Sequence, residues 1–121
     1  MELKNCCKIE PICYCFENYE NYSVDCLLKG VKRCDYIVKN DIIIFIECKS
    51  KEKSKAKSQL EACYCTFKEL TYNKKVIFAF IGKKDRYLSH GSPEKLRGRP
   101  LIEGDCERIC KLLNKLISKI T

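Results

Sequence analysis

Two apolar runs joined by a short polar turn constrain the fold of this 121-residue chain most strongly. The runs cover residues 34–38 and 42–49. Segments this apolar belong in a core, where an unpaired carboxylate or ammonium group is costly. Asp35, Glu47 and Lys49 nevertheless stand at their margins. The simplest physical reason is a divalent metal held by Asp35 and Glu47, with Lys49 beside it, facing a phosphodiester.

Hairpin geometry decides whether these three side chains can meet. Side chains alternate between the two faces of a strand, so Glu47 and Lys49, two residues apart, share a face. Asp35 joins them in one register only, because a two-residue turn pairs it with Ile46, whereas a three-residue loop at residues 40–42 pairs it with Glu47. The metal hypothesis therefore predicts a three-residue loop, a bulge or a strongly bent hairpin.

Length and composition predict a single domain over residues 1–121, since 45% of the residues are hydrophobic and can fill one core. The apolar runs are too short to cross a bilayer, and the start of the chain lacks the apolar stretch of a secretory signal. We therefore expect an intracellular protein without a membrane partner. Lys and Arg number 24 against 16 Asp and Glu, a formal charge of +8. This excess favours a polyanion such as nucleic acid, although basic side chains also serve solubility.

Eleven cysteines make the chain cysteine-rich. Structural thiols or disulfides are the favoured use and metal ligation is the alternative, because no C-x2-C pair occurs. Disulfides inside cells are typical of hyperthermophiles, and a composition rich in Lys, Glu and Ile without Trp fits a thermophile. Cys106 and Cys110 fall one turn apart on the apolar face of a helix, where we expect them to act as small hydrophobes.

The rest of the pattern predicts an α/β fold with a mixed central sheet. In the first half of the chain we expect a helix broken at Pro11 within residues 1–22, a strand at 23–29 and then the hairpin. An amphipathic helix of about five turns, capped by Ser50, follows the hairpin and leads to a buried strand at 76–81. The rest is a long loop at 83–104, with a short strand at 101–102, and a C-terminal amphipathic helix at 105–120. The long helix between the third and fourth strands predicts that these two strands lie parallel.

This order of elements, with an aspartate on the second strand and Glu47-Cys48-Lys49 ending the third, resembles the PD-(D/E)XK nuclease superfamily over roughly residues 22–83. The resemblance implies a restriction-endonuclease-like core, with strands and helices in αβββαβ order. Two positions depart from the family pattern. Cys34 stands where the name of the motif has Pro, and the N-terminal helix glutamate of many members has two candidate counterparts here, Glu10 and Glu17.

The resemblance also implies the chemistry of the site. Asp35 and Glu47 would bind Mg or Mn together with the main-chain carbonyl of Cys48, since hard oxygen ligands suit these ions. The cation would acidify the attacking water, and the Lys49 ammonium group would help to stabilise charge on the phosphate oxygens. Asp35, Glu47 and Lys49 are therefore the expected catalytic residues of an Mg- or Mn-dependent deoxyribonuclease.

A basic run follows the motif at the start of the long helix. Alternation by two does not keep lysines on one side of a helix, so we expect Lys51 and Lys55 to reach the substrate backbone. Gln59 is similar to the helix glutamine of RecB-like members and completes the expected nucleic-acid-binding set. A second basic region in the loop at 83–104 is expected to be either a strand-clamping or junction-binding loop, or a disordered basic loop.

The expected function is hydrolysis of DNA phosphodiester bonds, at branched (Holliday) junctions or in single strands, with RNA as an alternative substrate. Archaeal Holliday-junction resolvases are small stand-alone members of the superfamily that work as dimers, so the resemblance implies a homodimer. Two alternatives belong to other classes: a non-catalytic nucleic-acid-binding protein that retains the nuclease fold, and a cysteine-crosslinked structural protein.

Overall fold

The computed structural model describes residues 2–30, 33–48, 53–82 and 94–120. The strands in these ranges are β1 (Glu20–Ser23), β2 (Tyr36–Lys39), β3 (Ile42–Cys48), β4 (Lys75–Ile81), β5 (Glu94–Leu96) and β6 (Arg99–Gly104). The α-helices are α1 (Val24–Leu27), α2 (Lys53–Thr66) and α3 (Cys106–Ile120), and short 3-10 helices cover Asn5–Cys7, Tyr14–Phe16 and Lys68–Thr71. The predicted α/β class, with a mixed sheet flanked by helices, is confirmed.

The sheet has the strand order β1-β2-β3-β4-β6-β5 in the described part of the chain. Strands β1, β2 and β3 form an antiparallel meander, whereas β4 is parallel to both β3 and β6. The parallel pairing of β3 with β4 was predicted and is confirmed, because a crossover through α2 returns the chain to the same end of the sheet. Within the described ranges, none of the helices combines the length and the apolar character that a bilayer crossing requires.

Alternating side chains of β3 enter two separate hydrophobic cores. Phe45 packs on the face covered by α2, in one cluster with Leu60. Ile44 packs on the opposite face with Leu113 of α3. The strand is apolar on both sides because helices cover both faces. The same alternation directs Glu47 to the α2 face, two positions after Phe45.

The N-terminal segment differs from the predicted broken helix. Residues 8–13 carry no helix, and side-chain bonds stand in for helical ones. The buried Asn21 side chain donates through Nδ2 to the carbonyl oxygens of Phe16 and Tyr19, both at 3.1 Å. Pro11 lacks the N–H that a continuous helix needs. Local periodicity could not reveal this arrangement, because a single buried amide and several long-range crosslinks hold it.

The strand predicted at residues 23–29 is also wrong, because the strand β1 covers Glu20–Ser23 and the residues that follow it form the helix α1. β1 ends at Ser23, whose hydroxyl oxygen accepts a hydrogen bond from the Cys26 backbone N–H at 3.4 Å and caps the one-turn helix α1. Serine at an N-cap satisfies a donor that the first helical turn leaves unpaired. The capping hydroxyl outweighs the strand preference of the apolar residues that follow it.

The C-terminal region contains more structure than the predicted loop. β5 and β6 form a hairpin whose turn is Arg97-Gly98, both residues with positive φ. Residues 83–93 of the predicted loop lie outside the described residues. The predicted C-terminal helix is confirmed as α3, and the Asp105 carboxylate caps it by accepting from the Arg108 N–H at 2.9 Å. Helix α2 spans 14 residues, fewer than predicted, and its expected cap Ser50 lies outside the described residues.

Eight of the eleven cysteines form disulfides, which confirms a structural use for most of them. The pairs are Cys7–Cys26, Cys13–Cys106, Cys15–Cys110 and Cys34–Cys63, and the free thiols are Cys6, Cys48 and Cys65. The expectation that Cys106 and Cys110 act as plain hydrophobes is wrong. Both bond to the N-terminal segment, which packs against the cysteine-bearing side of α3.

Candidate metal centre

Asp35 and Glu47 meet at the open end of the β2–β3 hairpin. The ladder pairs Lys39 with Ile43, which leaves residues 40–42 as a three-residue loop. Continued along the strands, this register puts Asp35 opposite Glu47 on the α2 face. Of the three arrangements that the metal hypothesis allowed, the structure has the three-residue loop.

Asn40 explains why the loop has three residues. Its side-chain oxygen accepts from the Ile42 N–H at 2.9 Å, and its own N–H donates to the Ile42 carbonyl at 2.9 Å. Asparagine favours such turns because its side chain imitates a backbone acceptor. The local chemistry of one residue thus selects the register of the whole hairpin.

Backbone hydrogen bonds fix Asp35 from two sides, by β3 and by the start of α1. Its N–H donates to the Ile46 carbonyl at 2.9 Å, and its carbonyl accepts from the Val24 N–H at 3.0 Å. Its side-chain Oδ2 accepts from the Cys48 N–H at 2.7 Å. The carboxylate is thereby held against the end of β3, beside Glu47.

Glu47 lies in an environment that disfavours its charge. Its Oε1 atom is buried and has no hydrogen-bond partner among the described residues. Burial, and next the negative charge of Asp35, raises the pKa of Glu47 from its ordinary value of 4.5 to about 8. Two carboxylates with one uncompensated oxygen form a hard, anionic donor set that fits a divalent cation such as Mg²⁺ or Mn²⁺.

A cavity of about 570 Å³ opens beside the carboxylate pair. Its polar lining includes Gln59 of α2 together with Asp35 and Glu47. The disulfide between Cys34 and Cys63 joins the residue before Asp35 to α2, so the two walls of the cavity are covalently connected. Of the expected nucleic-acid-binding residues, the structure brings Gln59 to the carboxylates.

Asp25 and Arg33 also line the cavity, and the sequence analysis did not identify either. Arg33 Nε donates to Thr66 Oγ1 at 2.6 Å and so contacts the end of α2. Asp25 belongs to α1, and the N-cap pattern that begins at Ser23 was the available signal. The two glutamates considered as N-terminal counterparts, Glu10 and Glu17, are exposed and are not among the residues that line this cavity.

The expected basic residues divide into several groups. Lys49 and Lys51 lie outside the described residues. Lys55 is exposed on α2 and is not part of the cavity lining, while Lys57 forms an ion pair with Glu94 at 3.0 Å. Of Lys55 and Lys57, Lys55 is therefore the candidate for a contact with a phosphate group.

Cys48 contributes its backbone to the site, while its thiol packs on the opposite face. The side chain belongs to the cluster against α3. Burial, followed by the charges of Asp35 and Glu47, raises the pKa of the Cys48 thiol to about 12. A metal ligand from this residue would therefore be its main-chain carbonyl, as the resemblance implies.

Part of the second basic region is used in packing. The guanidinium groups of Arg97 and Arg99 lie 5.8 Å and 4.8 Å from the centre of the Tyr64 ring. Arg97 also pairs with Glu61 at 3.1 Å. These contacts attach the β5–β6 hairpin to α2.

No protein family, curated protein or solved structure matches this chain. The site itself is therefore the evidence for a function. Its described geometry contains a fixed carboxylate, a second carboxylate with a raised pKa and an adjacent cavity lined by polar side chains.

Proposed function

We propose that this protein is a metal-dependent nuclease that hydrolyses the phosphodiester bonds of DNA, and that it belongs to the PD-(D/E)XK superfamily. The observation that carries the proposal is the meeting of Asp35 and Glu47 on one face, at a cavity, with the buried Glu47 Oε1 lacking a hydrogen-bond partner among the described residues. In this interpretation β1, β2, β3, α2 and β4 correspond to the βββαβ part of a restriction-endonuclease-like core. The disulfide-bonded N-terminal segment takes the place of the first helix.

Asp35, Glu47 and the Cys48 carbonyl would hold the cation. A bound Mg²⁺ or Mn²⁺ supplies positive charge that makes the attacking water more acidic and offsets charge growing on the phosphate. Asp35 is positioned for this role before the cation arrives, because three hydrogen bonds already fix its backbone and carboxylate. Glu47 carries a proton at neutral pH while its pKa is about 8, and it releases that proton to solvent when a cation replaces it.

Lys49 would complete the site with an ammonium group directed at the phosphate, a compact charge on a flexible stem. This assignment depends on the sequence, where Lys49 follows Glu47 by two positions. Gln59 lines the same cavity and would contact the substrate near the scissile bond, while Lys51 and Lys55 would contact the flanking backbone.

DNA is the proposed substrate because a formal charge of +8 favours a polyanion. Branched junctions and single strands are the two forms to compare. A homodimer is part of the junction hypothesis, since two strands must be cut there.

The test is cleavage of labelled four-way junctions, single strands and duplexes with Mg²⁺, with Mn²⁺ and with chelator. We expect cleavage that requires the cation and that falls at least about 100-fold in D35N, E47Q and K49A. Glu61→Gln is the matched control, because it makes the same carboxylate-to-amide change at an exposed ion pair on α2.

Two outcomes would overturn the proposal. A folded protein that binds DNA and cleaves with neither cation would be the non-catalytic binding protein that retains the fold. Cleavage that is retained in both D35N and E47Q would show that another site performs the reaction.

A further inference from the structure

Three cysteine sulfurs gather where the N-terminal segment meets α1. Cys6, Cys7 and Cys26 place their sulfur atoms within 4.8 Å of one another. Cys7 and Cys26 form a disulfide, while Cys6 is free and exposed. In the part of the chain that the structure describes, no other group of Cys, His, Asp and Glu side chains converges in this way.

The three sulfurs lie within 4.8 Å of one another, and the two that are bonded would have to move apart to bind zinc. Tetrahedral zinc with Zn–S distances of about 2.3 Å holds its sulfurs about 3.8 Å apart. The Cα atoms of Cys7 and Cys26 are 5.4 Å apart, so the two sulfurs can separate to that spacing by side-chain rotation once their bond is broken. Cys6 is the chain neighbour of Cys7, and its sulfur is already within range.

The surroundings give the cluster one closed side and one open side. Cys7 is 2% exposed and packs in the core with Tyr22 and Val24. Cys6 is exposed, so an ion can enter from solvent on that side. Thiolates are soft ligands that select zinc over magnesium, whereas the oxygen ligands at Asp35 and Glu47 have the reverse preference.

We propose that Cys6, Cys7 and Cys26 form a three-thiolate zinc site when the Cys7–Cys26 disulfide is reduced. A dithiol reductant supplies two electrons and two protons, the S–S bond breaks into two thiols, and the dithiol becomes a disulfide. With a phosphine as the reductant, water supplies the two protons and the oxygen, and the phosphine becomes its oxide. Zinc then displaces the protons of all three thiols, which pass to solvent, and three Zn–S bonds form. The fourth position is left for water or an external ligand, because no fourth side chain joins the group in the described residues.

Cobalt titration tests the proposal, since Co²⁺ reports thiolate ligation through its charge-transfer absorption. The intact protein is reduced with a phosphine without oxygen, titrated with Co²⁺ and then with Zn²⁺, and circular dichroism checks the fold. We expect one equivalent of tetrahedral thiolate-bound cobalt, displaced by zinc, in the reduced protein and none in the oxidised protein.

Two serine variants identify the ligands. Cys6→Ser leaves every disulfide partner in place, and we expect it to lower the affinity at least about 10-fold. Cys65→Ser changes the other exposed free cysteine and should bind as the original protein does. Cys26→Ser should also lose affinity.

Equal binding by the Cys6→Ser and Cys65→Ser variants would overturn the proposal, because the ion would then be held by other thiols. A reduced protein that binds no cobalt would overturn it as well. A reduced protein that unfolds and is not refolded by zinc would have the same consequence.

Discussion

At the scale of single residues, Glu47 places a carboxyl group in a partly buried environment at the end of a strand. The carboxyl lies on the α2 face, close to a second acid, with one oxygen unpaired among the described residues. Ordinary surface ion pairs contribute little to stability, and they leave no buried carboxyl oxygen without a hydrogen-bond partner. The environment of Glu47 raises the free energy of its ionised form, as its raised pKa shows. A bound cation would lower that free energy.

Replacing Glu47 by Gln should stabilise the metal-free protein at alkaline pH. The folded pKa of about 8 lies above the ordinary value of 4.5, so between these values the unfolded chain loses a proton that the folded protein keeps. Stability therefore falls as pH rises through this window, and the loss is complete above pH 8. We expect Glu47→Gln to gain about 1–2 kcal/mol at pH 9, a figure reduced for partial solvent screening.

Denaturant unfolding in chelator at pH 4 and pH 9 measures this effect. The variant and the original protein should have nearly equal stability at pH 4, where Glu47 is protonated in the folded protein and mostly protonated in the unfolded chain. Glu61→Gln serves as the control, and we expect no comparable gain. A Glu47→Gln variant that is less stable at pH 9 would contradict the assigned environment.

Cys48 should resist alkylation although it is a free thiol. The thiolate is the reactive form, and burial followed by two nearby carboxylates raises the pKa of Cys48 to about 12. Cys65 is free and exposed on α2. At pH 8 we expect iodoacetamide to label Cys65 at least about 100-fold faster than Cys48. A time course followed by peptide mass spectrometry compares the two, and similar rates would refute the prediction.

At the scale of elements, the junction between β6 and α3 depends on a close backbone approach. Gly104 has φ +146, and an added Cβ there would lie 2.8 Å from the Cβ atom of Arg108. Arg108 cannot move aside easily, because its N–H is bonded to the Asp105 cap and its Nε donates to the Glu103 carbonyl. The end of the strand and the start of the helix therefore form one tightly connected corner.

Gly104→Ala should destabilise the protein by about 2 kcal/mol, since it adds a steric clash to an unfavourable backbone conformation. Gly30→Ala is the matched control: Gly30 also has positive φ, +80, but has open space around it. Its cost should be about 1 kcal/mol, from the backbone alone. Thermal unfolding of both variants checks the difference, and equal costs would indicate that the corner relaxes.

At the scale of the whole molecule, two disulfides connect the N-terminal segment to α3. Cys13–Cys106 and Cys15–Cys110 close loops of 93 and 95 residues in sequence separation. They run side by side, so either one alone already closes the long loop in the unfolded chain. The second bridge then closes only a small ring.

Removing these bridges should therefore be non-additive. Replacing either pair by serines should cost about 2–3 kcal/mol, the value for a small ring, whereas removing both should cost about 7 kcal/mol because the long loop opens as well. Denaturant unfolding of the two double variants and the quadruple variant measures the coupling. A quadruple variant whose loss in the free energy of unfolding equals the sum of the losses in the two double variants would contradict this account of the unfolded state.

The disulfides also bear on where the protein works. Disulfides persist in oxidising compartments and, as an exception, inside hyperthermophilic cells. The intracellular location expected from the sequence therefore stays a prediction, connected to the expectation of a thermophilic source.

The sequence by itself determined the features that depend on local pattern. Continuous apolar runs defined β3 and β4, and a three- and four-residue apolar period defined α2 and α3. The positions of Asp35 and Glu47 limited their convergence to a three-residue loop, a bulge or a bent hairpin, and the structure decided among these. These preferences act between residues that are close in sequence, so the amino-acid sequence alone is enough to predict them.

Only the tertiary structure decided which distant groups meet. Contacts between residues far apart in the chain decide which eight cysteines pair. They also decide the irregular path of the N-terminal segment around Asn21 and the position of Asp25 and Arg33 at the cavity. Periodicity carries no information about such contacts, because their geometry exists only after the sheet has formed. The raised pKa of Glu47 has the same origin, since burial and a neighbouring charge are properties of the folded molecule.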